Sequence, residues 1–553
     1  MKKQIGCFLP LAFAAIAFLA GMAVQNSPSI ITRDLIASAE KIIGLEFSDA
    51  KRDSMIDGLQ EQLGNYQNMR KVPLANNVLP SILFNPIPSG FKFESEKKAF
   101  KQSKTGAVVL PANLDDLAFY SVSDLAYLIK NRKVSSEQLT KMYIDRLKKY
   151  GPKLECVISI TEELALKQAK LADEEIAGGK YRGPLHGIPF GVKDLLSVKG
   201  YKTTWGAMPY KDQVIDENAT VVKRLEDAGG VLIAKLTMGA LAWGDVWYGG
   251  KTRNPWNTER GSSGSSAGSA SATSAGLVAF SIGTETWGSI VSPSTECGTT
   301  GLRPTYGRVS RHGAMALSWS MDKIGPICRT VEDCAIVFNA IYGPDGIDPT
   351  LYEAPFNYDP AVKLSQLKIG YLKTDFDKDS INKVYHDAVF AELKKLGATL
   401  IPIELPKYPM NDLAIILTAE AGAAFDELTR SGKDDLLVRQ IKNAWPNVFR
   451  ASRFIPAVEY IQANRIRTLV IQDMQSVMKN IDVYLSPSFE GENLLLTNLT
   501  GHPCVVLPVG FNEKGLPKSI CFNGQLFGEA KVLAVAKQFQ DATDHHKKHP
   551  KLN

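Results

Sequence analysis

The sequence predicts an α/β protein: one large domain built on a central mixed β-sheet flanked by helices, preceded by a helical N-terminal extension. Three observations carry that expectation. From about Ser121 onward, short apolar runs alternate with helical stripes, the pattern of a sheet covered by helices rather than of a sandwich or a bundle. Runs such as 187–192 and Val231-Leu232-Ile233-Ala234 are apolar throughout, as strands buried on both faces are. Two amphipathic stripes, Ile31/Leu35/Ala39/Ile42 and Ile56/Leu59/Leu63/Tyr66, stand apart at the N-terminal end and predict two helices. A proline-containing stretch from Val72 to about Lys104, with Pro80, Pro86 and Pro88, separates them from the rest and reads as an arm lying across a larger body. The expected organisation is a leader over 1–23, a helical extension and arm over 24–116, and the large domain over 117–553.

Within that domain the elements follow in order. Ser135 with Gln138, and Ser159 with Glu162, each have the spacing of a capping box that opens a helix, the second helix stopping at Gly178-Gly179. A buried strand over Gly187–Val192 is followed by a short helix over Val221–Ala228, closed by Gly229-Gly230, and by the strand beginning at Val231. After a glycine-rich centre the alternation resumes with a strand over Leu367–Leu372, a helix through Val384, Ala388 and Leu393, and a strand over Leu400–Ile403. Strands around Val483–Leu485 and Val505–Val509 and a helix from Glu529 to about Ala542 close the chain.

The 553 residues carry 44% hydrophobic and 22% charged side chains, a globular balance that excludes a disordered, collagen-like or polytopic membrane chain. A net charge of +6 over this length gives no case for nucleic acid. Lys2 and Lys3 precede a charge-free run from Ile5 to Val24, the pattern of an export signal, and Gly21-Met22-Ala23 offers small residues for cleavage near Val24. An uncleaved membrane anchor is the alternative; Pro10 and the many alanines favour the cleaved form, which leaves no stable membrane span and a periplasmic or extracellular protein. The cysteines, at 7, 156, 297, 328, 334, 504 and 521, are too sparse for a disulfide scaffold, and whether Cys328 bridges Cys334 is not decided by spacing. With no HExxH, no CxxC and no paired acidic loop, no metal and no other cofactor is expected.

The chemistry is expected in the centre. From Gly261 to Gly313 the chain holds 10 glycines and 12 serines, the composition of a flexible linker. Leu277, Val278, Phe280, Ile282, Ile290 and Val291 argue instead for a tightly wound, buried loop system in which small residues let the backbone approach a ligand. Two familiar motifs nearly appear. Gly249-Gly250-Lys251-Thr252 resembles the end of a phosphate loop, but Asp245 stands where glycine is required. Gly264-Ser265-Ser266-Ala267-Gly268 satisfies the nucleophile elbow G-x-S-x-G, which would make Ser266 the nucleophile of a Ser-His-Asp esterase; the preceding Asn254–Arg260 is a polar loop, where an elbow needs a strand.

The arrangement as a whole resembles the amidase signature family, the Ser-cisSer-Lys amide hydrolases. The resemblance rests on Leu185-His186-Gly187-Ile188-Pro189-Phe190-Gly191-Val192-Lys193-Asp194, on Gly264-Ser265-Ser266-Ala267-Gly268-Ser269, and on Gly283-Thr284-Glu285-Thr286-Trp287-Gly288-Ser289-Ile290 running on to 297–308. Ser320-Met321-Asp322-Lys323-Ile324-Gly325-Pro326 and Asn498-Leu499-Thr500-Gly501-His502-Pro503 add to it. It covers about 121–546, strongly over 185–326 and weakly over about 345–480. It implies that Lys193 is the general base, Ser265 the proton-relaying serine on a cis peptide bond, and Ser289 the nucleophile. The backbone amides of Thr286, Trp287, Gly288 and Ser289 form the implied oxyanion hole, with Gly264 and Ser266 supporting.

Each implied role has a physical reason. A hydroxyl attacks only once a base takes its proton, and a lysine serves as base only when neutral. Burial supplies the neutrality by stripping hydration from the ammonium. Fixed oxyanion donors are worth about 3 kcal/mol each. The chain also departs from the family pattern. Trp287 stands where a glycine is usual, with strain expected if that position needs positive φ; Val291 stands where arginine is usual, and Glu285 where aspartate is. His186 and His502 read as structural. The expected substrate is a small-molecule or peptide amide, hydrolysed by an exported linear-amide hydrolase. The rival from another class is a secreted binding protein on the same scaffold, with Trp287 and Val291 having cost it catalysis. A transfer-RNA amidotransferase subunit is disfavoured, because an exported chain would lack that substrate and its ammonia-supplying partner.

Overall fold

The computed structural model describes residues 30–552; the expected leader lies outside them. Among the described residues the chain forms two compact units, 30–75 and 76–552. The first holds the two predicted helices, Arg33–Ile43 and Asp49–Met69. Thr32 caps the former by accepting the Leu35 amide, and Gly44 ends it in the left-handed conformation. The arm from Asn76 onward belongs to the second unit. Asn76 is bonded through its side chain to both backbone groups of Ala316, and Lys101 donates to the Tyr358 carbonyl.

The second unit is organised by a mixed sheet. Its strands and two small ribbons are, in chain order, β1 Val157–Ile160, β2 Pro189–Lys193, β3 Val231–Leu236, the ribbon β4 Val246–Trp247 with β5 Gly250–Lys251, the ribbon β6 Arg253–Asn254 with β7 Asn257–Gly261, β8 Phe280–Glu285, β9 Thr300–Arg303, β10 Lys323–Cys328, β11 Lys368–Leu372, β12 Thr399–Ile403, β13 Val483–Pro487, β14 Cys504–Phe511 and β15 Pro517–Gly524. The eleven-stranded sheet runs β1-β3-β2-β8-β10-β9-β14-β15-β13-β11-β12. β2 lies parallel to both β3 and β8, and β11 to both β12 and β13; the remaining pairs are antiparallel. β2, β3, β8 and β10 are buried at every residue, which accounts for their largely apolar character; Lys193, Lys235, Glu285 and Lys323 are buried exceptions, each with a polar partner. Phe190 and Phe280 sit opposite one another across β2 and β8 and stack at 5.4 Å.

Two local expectations are corrected. The glycine-rich centre is not a loop system. It holds the helix Ala267–Ser274, β8, the helix Val291–Cys297 and β9, with short turns between. Its small residues serve close packing of regular elements: a Cβ on Gly268 would stand 2.5 Å from the Cys156 carbonyl oxygen and from the Thr237 amide. The second capping box is also absent. Ser159 lies within β1, and the helix Glu162–Ala177 starts after Thr161, whose hydroxyl donates to the Leu232 carbonyl on β3 at 2.6 Å instead of capping. The sheet's claim on that hydroxyl overrides the local motif. The box at Ser135 and Gln138 is formed in full.

Candidate active site

β2 delivers Lys193 as its last residue. Side chains alternate along a strand, and Lys193 emerges toward the helix Ala267–Ser274 and the end of β8, with no exposed surface. Its Nζ donates to Ser265 Oγ at 2.8 Å, Ser266 Oγ at 3.1 Å and Thr284 Oγ1 at 2.8 Å. Burial pushes this amine down to about 7, against the opposing charges of Asp322 and Glu285. Close to neutral pH it therefore holds a lone pair for much of the time, as a base must.

The peptide bond between Gly264 and Ser265 is cis. Residue 264 must be glycine because a Cβ there would stand 1.9 Å from the carbonyl oxygen of Gly244, which packs directly against it. Ser266, the supporting serine, is fully buried, and its hydroxyl is taken up by the backbone of β8. It donates to the Thr284 carbonyl at 2.9 Å and accepts from the Thr284 amide at 3.1 Å. None of its hydrogen bonds involves an imidazole, so the elbow arrangement with Ser266 as nucleophile is not formed.

Ser289 lies in the turn that joins β8 to the helix Val291–Cys297. Its carbonyl accepts the Ser266 amide at 3.1 Å, tying this turn to the cis-serine loop. The left-handed residue of the turn is Gly288, at φ 87°, and Trp287 is not among the residues with positive φ. The strain expected at Trp287 is thereby absent; the neighbouring glycine takes the unfavourable conformation, and the indole projects outward, 41% exposed. Among the described residues, the amides of Trp287, Gly288 and Ser289 have no protein acceptor, as donors awaiting an oxyanion require.

Beneath this turn lies a support that family-motif reading left incomplete. The fully buried Glu285 accepts the amides of Ile290 and Val291 at 2.8 and 2.9 Å, two groups that a helix start leaves unpaired. It also accepts Arg303 Nη1 at 2.7 Å and Asn498 Nδ2 at 2.8 Å. Burial opposes ionisation of Glu285, but Arg303 and these donors overcome it and bring the carboxyl down to about 2. Arg303 is equally buried, and its Nη2 reaches the His502 carbonyl at 3.0 Å. Here the longer acid at 285 reaches both the helix start and an arginine that comes from β9 rather than from position 291. Replacing Glu285 with glutamine leaves the Arg303 charge unpaired in the core, and we expect a loss of about 3 kcal/mol of stability. Denaturant unfolding of the variant beside the parent checks it.

Arg303, Asn498, Thr284 and Asp322 are the site residues that the sequence reading did not assign. All four lie inside the family-like segments, which was the available signal, but their partners are remote in sequence. The two histidines are structural. His186 accepts the Arg182 amide through Nδ1 at 3.1 Å, and His502 pairs with Thr500 Oγ1 at 2.7 Å, burial holding its ring down to about 3. The six cysteines of the described residues are free and buried.

This fold and this grouping of a buried lysine with serines define a class of hydrolase, and the comparisons agree. The family model described as Amidase matches residues 138–494. The chain belongs to the amidase signature family and is an amide hydrolase of that fold. It is 36% identical over 487 residues to the A subunit of the glutamyl-tRNA(Gln) amidotransferase of Geobacillus kaustophilus, covering 78% of this chain and 99% of the relative. The corresponding protein of Moorella thermoacetica is 32% identical over 492 residues, covering 79% and 99%. Among solved structures, the native peptide amidase from Stenotrophomonas maltophilia superposes with a TM-score of 0.70 at 29% identity, over 78% of this chain and 98% of that one.

Proposed function

We propose that the protein is an exported amidase that cleaves the C–N bond of a linear carboxylic amide through an acyl-enzyme on Ser289, with Lys193 as base. The neutral Lys193 amine draws a proton from Ser265, which takes one from Ser289 as its oxygen attacks the carbonyl. The oxyanion is received by the amides from Thr286 to Ser289. Collapse of the intermediate returns a proton through the same chain to the departing nitrogen, and water then releases the acid by the reverse path. The observation that carries the reading is the fully buried Lys193 amine, bonded at 2.8 Å to a serine on a cis peptide bond. Export rests on the basic start and charge-free run before Gln25. No helix of the described residues is long and apolar enough to cross a membrane.

The sign of the pH dependence follows from the base. Protonated Lys193 cannot accept a proton, so kcat/KM rises with pH and levels off above a midpoint near 7. Rate profiles across a panel of aliphatic, aryl and peptide amides check this; a rate that falls over the same range would contradict it. The relatives named as parts of an amidotransferase favour a second reading, transfer of the amide nitrogen to an acceptor. Release of free amine or ammonia by the purified chain alone separates hydrolysis from transfer.

A further inference from the structure

Asp322, one residue before β10, has no part in the steps above, yet three donors hold its carboxylate. Thr286 Oγ1 donates to Oδ1 at 2.6 Å, and the amides of Leu317 and Ser318 donate to Oδ2 at 2.8 and 3.0 Å. Thr286 belongs to the oxyanion turn. Thr284, two residues earlier on the same face of the chain, is bonded to Lys193 Nζ. Lys193 and Asp322 thus flank two consecutive threonine side chains, which an extended chain spaces roughly 7 Å apart. Thr284, Thr286 and Asp322 line one cavity of about 130 Å³, together with Leu195 and Met315.

We propose that Asp322 is a positioning residue: its carboxylate fixes the oxyanion turn through Thr286 and keeps a negative charge beside Lys193, setting the pH at which that amine becomes a base. The inference rests on Lys193 being the base and deepens that reading.

The other charges around the pair are already spoken for. Glu285 on β8 is paired with Arg303 on β9. Arg311, in the segment after β9, is paired with Asp348 at 3.3 Å. Asp194, after β2, is paired with Lys235 on β3 at 2.9 Å. Lys323 on β10 is bonded to the Met321 carbonyl, and burial drives its amine well below the usual range, toward the neutral form. Arg467, from the helix Ala457–Met478, donates to Ser320 Oγ at 2.9 Å and to the Ser320 carbonyl at 2.8 Å. Asp322 is left without a cation bonded to it, and it raises the Lys193 pKa more than Glu285 does; burial raises the pKa of Asp322 itself, against the Thr286 hydroxyl and the Leu317 and Ser318 amides that favour its charged form.

The loop that carries Asp322 is itself anchored from outside the family-like segments. Glu420, in the helix Ile415–Ala424, accepts Ser318 Oγ at 2.6 Å, the Ser320 amide at 3.0 Å and Ser320 Oγ at 2.7 Å. Tyr460 donates to the same carboxylate at 2.8 Å. The region of weak family likeness therefore grips the loop that grips the oxyanion turn.

The test measures the rate of serine modification by a fluorophosphonate probe against pH, by intact mass, in the parent, Asp322→Asn and Thr286→Val. Removing the anion lets the amine lose its proton more readily. Asp322→Asn should therefore move the midpoint to lower pH, on the order of one unit, and reduce the limiting rate. Thr286→Val cuts the tie while the Leu317 and Ser318 amides still hold the carboxylate; it should lower the limiting rate about tenfold and move the midpoint less than Asp322→Asn does. An unchanged midpoint in Asp322→Asn overturns the proposal. Should that variant not fold, Asp322→Glu decides: the parent midpoint with a reduced limiting rate supports the assignment, and an unreduced rate overturns it. If Ser289→Ala still reacts at the parent rate, the catalytic reading fails, whatever Asp322 does.

Discussion

Ser289→Ala should abolish amide hydrolysis, lowering kcat by about 10⁴-fold or more, while the protein stays folded. The substitution removes one hydroxyl from a turn whose shape is set by other groups. The Glu285 carboxylate holds the amides of Ile290 and Val291, and the Ser266 amide holds the backbone carbonyl of residue 289 itself. Lys193 keeps all its partners, since its hydrogen bonds go to Ser265, Ser266 and Thr284. What is lost is the atom that forms the acyl bond, and an oxyanion hole alone leaves only a small residual rate. Steady-state kinetics beside a thermal melt checks both halves of the expectation. Activity near the parent level would place the nucleophile elsewhere.

Lys193→Met should be as damaging, again by about 10⁴-fold or more, for the complementary reason. Methionine fills much of the volume of the buried lysine side chain, so the strand and its neighbours should persist. The three serine and threonine hydroxyls around Nζ then lose their common partner, and no group remains to take a proton from Ser265. Lys193→Arg should not rescue, because a guanidinium stays protonated throughout the accessible pH range. Retained activity in the arginine variant would show that the position supplies charge or packing rather than a base. kcat of both variants, measured across pH, distinguishes these outcomes.

The sheet and the residues grouped around Lys193 were legible in the sequence for different reasons. Strands such as β2 and β3 announced themselves because burial on both faces gives them apolar runs interrupted only near their ends, by Lys193 and Lys235, and closing glycines marked the helices before them. β15 went unread: Pro517, Lys518 and Ser519 give its first half the look of a loop, and its place between β14 and β13 is fixed by long-range pairing. The glycine-rich centre was readable as buried but not as helix and strand. Small side chains there carry no periodic apolar signal, and close approach of backbones, as at Gly268, is visible only in three dimensions.

Within the site, Lys193, Ser265 and Ser289 stood out because they fall in dense motifs. The partnership of Glu285 with Arg303 and Asn498 did not, since 18 and 213 residues separate the partners. The position of Trp287 is instructive in the same way. The sequence predicts strain if position 287 needs positive φ, whereas the turn places its one left-handed residue at Gly288 and leaves the indole free at the surface. The same exposure puts a large apolar face next to the oxyanion amides.

The central claim is that a neutral amine at Lys193 activates Ser289. Peptide mapping after fluorophosphonate treatment above neutral pH tests it most directly. The account predicts one adduct, on the peptide containing Ser289, formed in the parent and not in Lys193→Met. An adduct on Ser266, or a folded parent that never reacts, would contradict it.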